Sequence, residues 1–270
     1  MDPARPVLVI AVAGVDQSGG AGLVRDVLTG AALGVGVACV GTAWTEQEAG
    51  NSRVSVAGST GVLSVEPRAP AEVGAALGRA LARHPNAAVK IGMVPDAAAA
   101  AAIVGALDGA GFVGPVVVDP VLAASAGGAL WSGPLDGLWP LLRRATVVTP
   151  NAGEAARLSG KPVATADEAE AAAMALRARG ITAVLVKGGH LDQTGAAVTD
   201  RLVDAAGVQR FSRPRVPGVS PRGTGCALST AIAAALAAGA TLPAAVEEAG
   251  RWLAGRIAAS VVVGGQRFLP

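Results

Sequence analysis

Short apolar runs recur along the chain, separated by longer segments with a helical period. The runs are Val7–Val12, Val35–Val40, Ala88–Ile91, Pro115–Val118, Thr146–Val148 and Ala183–Val186. Continuous runs rich in Val and Ile suit strands buried on both faces. The segments between them, at 20–33, 70–84, 96–110, 134–143, 151–159 and 166–179, read as helices. Repetition of strand and helix in this way predicts a parallel sheet covered on both sides. After Lys187 the pattern changes. Residues 197–203 and 207–212 predict an antiparallel pair about Asp204–Gly207, followed by helices at 225–238 and 242–259. The last helix begins with Pro243 just after Thr241, a cap residue and a first-turn proline. No polar linker and no internal repeat divides the chain, so residues 1–270 are expected to form one α/β domain. The six alanines at 97–102 follow Asp96 and read as a capped helix.

Composition narrows the class. Of 270 residues, 51% are hydrophobic and 16% charged, which excludes a disordered chain. The net charge of +2 comes from mixed signs without a basic stripe, so nucleic acid is not an expected partner. Two cysteines, Cys39 and Cys226, make neither a disulfide framework nor a four-ligand zinc site. They suit a reduced, cytoplasmic protein. The uncharged stretch Cys226–Val246 has membrane-spanning length, but Ser229, Thr230, Gly239, Thr241 and Pro243 interrupt it. It reads as a buried helix ending near Gly239, with no membrane partner. The opening MDPARPVLVIAVAGVD resembles a signal peptide only superficially. Its apolar core is short, and Asp16 follows at once. A buried first strand is the expectation.

In open α/β sheets, ligands bind beyond the carboxyl ends of the strands. The first strand runs into Gly14-Val15-Asp16-Gln17-Ser18-Gly19-Gly20-Ala21-Gly22, with Asp26 one turn into the helix that follows. This is neither a P-loop nor a dinucleotide fingerprint, and an ordinary glycine-rich turn is the alternative. Gln47, near the end of the second strand, can donate and accept toward a heterocycle, or simply face solvent. Asp119 follows Pro115–Val118, where it either caps a helix or acts near a metal. Asn151 and Glu154 have the spacing of a capping box. Lys187 and Gly188 end the sixth run, where a lysine beside glycines suits a phosphate.

The strongest local pattern is Gly223-Thr224-Gly225-Cys226, leading into an uncharged helix. Such a start offers backbone N–H groups and a helix dipole to an anion. It should also lower the Cys226 thiol pKa, although a space-filling cysteine is the plain alternative.

Seven segments in this order resemble the hydroxymethylpyrimidine/phosphomethylpyrimidine kinases of thiamine biosynthesis, within the ribokinase superfamily. They are AGVDQSGGAGLVRD (13–26), TAWTEQ (42–47), KIGMV (90–94), VVVDPVLAASAGGAL (116–130), TPNAGEA (149–155), VLVKGGH (184–190) and RGTGC (222–226). Together they span about residues 7–260. Cys226 is the most informative, since sugar kinases of the superfamily carry Asp there. The resemblance implies a single-domain, three-layer ribokinase-like fold with a mostly parallel central sheet and helices on both faces. It implies ATP and Mg²⁺ as cofactors and a homodimer. Asp26 and Gln47 match positions that hold the pyrimidine, Met93 an apolar wall of its pocket, and Gly14 and Gly22 the loop lining it. Cys226 matches the catalytic position and Gly223, Thr224 and Gly225 the anion hole. Glu154 matches the residue that organises Mg²⁺, with Asp119 in the same metal–phosphate region. Lys187, Gly188 and Thr224 match the nucleotide side.

Three departures stand out. Gln17 replaces a proline, Pro221-Arg222 replace Thr-His, and the C-terminal segment is shortened to VVVGGQRFLP. Arg222 either adds charge near the transferred phosphate or faces solvent. The glycine-rich segments near 50–60 and 125–128 are candidate lids. Pyridoxal kinases that also carry this cysteine, and a non-catalytic pyrimidine sensor, are the competing readings. Cys226, Glu154 and Asp119 together speak against the sensor.

Overall fold

The computed structural model describes residues 8–47, 62–124, 128–191, 195–219, 221–263 and 266–270. The elements run β1 (Leu8–Asp16), α1 (Gly22–Leu33), β2 (Gly36–Gln47), β3 (Val62–Pro67), α2 (Pro70–Arg83), β4 (Ala88–Ile91), α3 (Ala97–Gly109), β5 (Val116–Val118) and α4 (Trp139–Arg144). They continue with β6 (Val147–Val148), α5 (Ala152–Ser159), α6 (Ala166–Ala178), β7 (Val184–Val186), β8 (Ala197–Asp204), β9 (Gly207–Pro214), α7 (Thr224–Ala237), α8 (Leu242–Ala258), β10 (Val261–Val263) and β11 (Gln266–Phe268).

The central sheet has the order β3-β2-β1-β4-β5-β6-β7-β8-β9. Its middle, from β2 to β7, is parallel, and β3, β8 and β9 join antiparallel at the two edges. All six predicted apolar runs are strands of this parallel middle. One of them, Ala88–Ile91, is not wholly apolar, because Lys90 stands within it and is fully buried. β3 and the β10–β11 hairpin were not anticipated. β3 pairs with the outer half of β2, and that pairing is a tertiary contact with no period of its own.

Strand alternation builds two cores. Ile10, Val89, Ile91, Val116, Val118, Val148, Val184 and Val186 face α2–α6. Val9, Ala88, Val117, Val147 and Leu185 face α7 and α8. Apart from Lys90, the residues these strands turn to either face are apolar, as the continuous runs require. α1 contacts α7, and Leu23 packs it on the small residues Ala11 and Ala13 of β1.

α7 has no polar face. Its buried residues include Ala227, Leu228, Ser229, Thr230, Ala231, Ile232, Ala233 and Ala234. Small side chains let this helix lie close over β1, β4 and β5. It ends at Ala237, followed by Gly239 at φ 91°. Among the described residues, no helix is long and apolar enough to cross a membrane.

Candidate active site

The parallel strands deliver their ends to one edge of the sheet, and a cavity of about 850 Å³ opens there. This size suits a pair of small ligands. Gly14, Asp16, Gly22, Thr45 and Met93 line it on the β1–β2 side, and Val198, Arg213, Arg215, Leu253 and Ile257 on the β8–β9 and α8 side. β1 and β8 are five positions apart in the sheet. At about 4.8 Å per strand, the two sides lie roughly 24 Å apart along the edge. Asp119, Glu154, Lys187 and residues 223–226 line the cavity between them.

The tip of α7 is the centre of this arrangement. Gly223 is its N-cap, with φ 76°, and no side chain caps the terminus. A Cβ on Gly223 would stand 2.3 Å from the Gly20 carbonyl oxygen. Glycine is therefore required both for the left-handed backbone and for the close approach of the 14–22 loop. Gly22 is a second such point: φ is 58°, and a Cβ would lie 2.2 Å from the Gly14 oxygen. These contacts press the loop after β1 against the helix tip. Across it, the Arg222 guanidinium donates to Ser18 Oγ at 3.2 Å and lies 3.5 Å from Asp16 Oδ2. Arg222 thus pairs with the loop instead of facing solvent. Asp16 is fixed in turn by the Ser18 hydroxyl at 2.7 Å.

A charged cluster stands beside the tip. Lys187 Nζ is 2.6 Å from Asp119 Oδ1 and 3.9 Å from Glu154 Oε2. Thr149 donates its hydroxyl to Asp119 Oδ1 at 3.1 Å. A Cβ on Gly225 would lie 3.2 Å from Lys187 Nζ and 3.3 Å from Asp119 Oδ2, so this glycine lets the helix tip abut the ion pair. Burial opposes the charge on Lys187, but Asp119 and Glu154 outweigh it and hold the ammonium above its ordinary value.

Glu154 does form the capping box: its Oε2 accepts from the Asn151 N–H at 2.8 Å, and Asn151 Oδ1 accepts from the Glu154 N–H at 2.9 Å. The same carboxyl also lines the cavity. Burial pushes it up to about 7; Lys187 works against this and Asp119 adds to it.

The other sequence expectations divide. Gly14, Gly22 and Met93 line the cavity, with Met93 packed on Gly14. Gln47 closes β2, and its side chain lies outside the described residues. The candidate lid at 50–60 also lies outside them, as do residues 125–127 of the candidate lid at 125–128. Gly188 does not reach the cavity. Its N–H donates to Asp200 Oδ1 at 2.7 Å, and a Cβ there would meet the Thr199 oxygen at 2.0 Å. Gly189 lines the cavity in its place. Asp26 does not reach it either. It is fully buried, with both carboxylate oxygens 2.8 Å from Lys90 Nζ.

Cys226 lines the cavity, but its thiol is not lowered as the helix start suggested. Burial pushes it up, and Asp26 and Asp119 add to that; Lys90 and the Gly22 N–H pull the other way without prevailing. Desolvation of a thiolate outweighs the helix dipole once the sulfur is enclosed. Lys90 was missed at the sequence level. A lysine inside a strand flanked by Val89 and Ile91 must find a buried partner, and that was the available signal.

Oxygen donors dominate the cluster. A hard cation such as Mg²⁺ takes one or two carboxylates and completes its shell with phosphate and water. Asp119 and Glu154, gathered about one ammonium and facing the cavity, fit that need. Among the described residues, no group of three or more His, Cys, Asp or Glu offers a complete protein cage.

Comparison with known proteins supplies the family. The family model described as phosphomethylpyrimidine kinase matches residues 16–269. A hydroxymethylpyrimidine/phosphomethylpyrimidine kinase of Rhizobium meliloti is 40% identical over 260 residues, covering 94% of this chain and 91% of the relative. The crystal structure of a phosphomethylpyrimidine kinase from Clostridium difficile superimposes with a TM-score of 0.73 at 29% identity, over 92% of this chain and 97% of that one. The pyridoxal kinase of Staphylococcus aureus in complex with ADP gives 0.84 at 26% identity, over 98% and 93%. The fold is accordingly the ribokinase-like one, and this chain belongs to the phosphomethylpyrimidine kinase family.

Proposed function

We propose that the protein transfers the γ-phosphoryl group of ATP to 4-amino-5-hydroxymethyl-2-methylpyrimidine and then to its monophosphate, as a step of thiamine biosynthesis. The observation that carries this reading is the α7 tip: Gly223–Cys226 lies between a pocket walled by Gly14, Gly22 and Met93 and a cluster built of Lys187, Asp119 and Glu154. The first side suits a flat heterocycle and the second a triphosphate.

A phosphoryl transition state is loose, so catalysis rests on positioning and on charge stabilisation. Met93 and the glycine loop hold the ring so that its hydroxymethyl group faces Cys226. The uncapped N–H groups of 223–226 point at the charge that develops on the transferred group. Lys187 moves from Asp119 toward the phosphates as they arrive. Asp119 and Glu154 would hold Mg²⁺, which when bound neutralises charge on the phosphates. Burial keeps Cys226 mainly as a thiol, which orients the alcohol, and its minor thiolate form takes the alcohol proton as the new oxygen–phosphorus bond forms and the bond from the γ-phosphorus to the ADP oxygen breaks.

Residues 1–270 act as one kinase unit on this reading. A cytoplasmic location, a homodimeric assembly and the absence of nucleic acid or membrane partners accompany it. The higher superposition on a pyridoxal kinase favours a second reading, phosphorylation of pyridoxal or pyridoxine by the same site. A steady-state assay on the pyrimidine alcohol, its monophosphate and pyridoxal in parallel separates the two. Turnover of the first two, with pyridoxal at least tenfold slower by kcat/KM, is expected to an order of magnitude. Turnover of pyridoxal alone would reverse the assignment.

A further inference from the structure

Behind the cavity lies a polar network that the proposed chemistry does not use. Lys90 Nζ donates to both oxygens of Asp26 at 2.8 Å, and the Thr230 hydroxyl donates to Asp26 Oδ1 at 2.8 Å. All three residues are fully buried, and none lines the cavity. The network joins the second turn of α1, the middle of β4 and the second turn of α7. Val89 and Ile91 face α2–α6, so alternation along β4 turns Lys90 toward α7. A Cβ on Gly92 would stand 2.8 Å from Lys90 Nζ, so a larger residue there would make the ammonium shift from its place beside Asp26.

Stability does not explain this arrangement. Taking two charges out of water costs several kcal/mol per ion, and apolar side chains of similar volume commonly serve as well. Its position supplies a better reason. Thr230 follows Cys226 by four residues on α7, so the two side chains share one face, about 5–6 Å apart at Cβ. The Asp26 carboxylate therefore grips α7 one turn below the catalytic sulfur. Burial works against the Lys90 charge, but Asp26, with smaller contributions from Cys226 and Asp119, holds the ammonium above its ordinary value. The charged groups around Cys226 are Lys90 from β4, Arg25 and Asp26 from α1, and Asp119 and Lys187 from the strand ends.

We infer that Asp26 and Lys90 are positioning residues for Cys226, fixing the first turns of α7 through Thr230, and are not ligands of the substrate ring. This deepens the kinase reading and rests on it for the kinetic test. The decisive variant is Thr230→Val, which exchanges a hydroxyl for a methyl of similar size and leaves both charges in place. Its kcat on the pyrimidine alcohol should fall at least fivefold with the pyrimidine KM within twofold of wild type, and Thr230→Ser should restore it. The paired variant Asp26→Asn/Lys90→Met, which removes both charges together, should show the same split. A rise in pyrimidine KM at constant kcat in the paired variant would make Asp26 a substrate residue, and unchanged kinetics in both variants would remove the network from catalysis; either overturns the inference.

A second readout needs no substrate. In a Cys39→Ser background, the rate of Cys226 alkylation by iodoacetamide should change at least fivefold in Thr230→Val and return within twofold in Thr230→Ser. An unchanged rate overturns the inference even if the pyrimidine proves not to be the substrate. Wild-type protein that fails to turn over the pyrimidine, with the alkylation pattern intact, would count against the kinase reading alone.

Discussion

Lys187 Nζ sits 2.6 Å from Asp119 Oδ1, although 68 residues separate them in the chain. Each follows a short parallel strand, β7 and β5, and β6 lies between those strands. The ammonium is thus neutralised before any nucleotide arrives. On the proposed reading, incoming phosphates would exchange one anionic partner for another, which spares the protein an unpaired buried cation in the empty state.

Removing that ammonium should affect the nucleotide side selectively. Lys187→Met is expected to raise the ATP KM by about tenfold or more, since losing one charged partner of a hydrogen bond costs roughly 1.5–3 kcal/mol. The pyrimidine KM should stay within about twofold, because Lys187 lies outside the β1–β2 pocket. Initial rates with each substrate varied in turn provide the check, and an equal rise in both KM values would contradict the assignment.

Cys226 predicts a pH dependence of definite sign. Because burial holds the thiol above its ordinary value, the thiolate fraction grows with pH through the neutral and mildly alkaline range. The turnover number should climb over that range in wild type. Cys226→Ala should lose at least about tenfold in turnover, less than the roughly 10²–10⁴-fold of full general-base assistance because the proton transfer is partial, and should lose the alkaline rise as well. ATP binding, measured by calorimetry, should persist. Wild-type turnover in the alanine variant would take Cys226 out of the mechanism.

Glu154 links stability to pH in the direction opposite to a salt-bridged carboxylate. Its carboxyl titrates near 7 in the fold, against an ordinary value of 4.5. Between these values the unfolded chain releases the proton while the folded chain keeps it. Its contribution is therefore complete at acid pH and declines as pH rises through 4.5 to about 7. Glu154→Gln keeps the carbonyl that caps Asn151 but cannot ionise. Its Tm relative to wild type should therefore improve by a few °C, to an order of magnitude, on going from pH 5 to pH 8. The same variant should need more Mg²⁺ for half-maximal rate. A Tm difference that is flat with pH, or an unchanged Mg²⁺ titration, would reduce Glu154 to its capping role.

Gly223→Ala tests the close approach at the helix tip. A left-handed residue with a Cβ costs about 1–2 kcal/mol. The added carbon would also meet the Gly20 oxygen at 2.3 Å, so the loop or the helix start must move. Tm should fall by several °C at roughly 2–4 °C per kcal/mol, and turnover should fall more steeply than stability. A variant with wild-type kinetics would show that the tip tolerates displacement.

The sequence by itself determined most of the frame. The six apolar runs could only be strands buried on both faces, and their alternation with helices required a parallel sheet whose carboxyl ends carry the site. Asp119, Glu154, Lys187 and residues 223–226 stood out because each follows a strand or opens a helix, positions that local pattern fixes, whereas Met93 and the pocket roles of Gly14 and Gly22 came from the family resemblance; all of them line the cavity. Tertiary structure alone decided what those side chains meet. Asp26 shares a motif with cavity residues, yet helix rotation turns it inward to Lys90. Gly188 packs on β8, a strand that reaches it only through the antiparallel edge. The Cys226 thiol rises where the local helix start argued for a fall, because enclosure by α1, β4 and β5 removes the water that would solvate a thiolate. Periodicity records which way a residue faces its own element, whereas burial, charge pairing and hydration depend on neighbours that only the folded chain brings together.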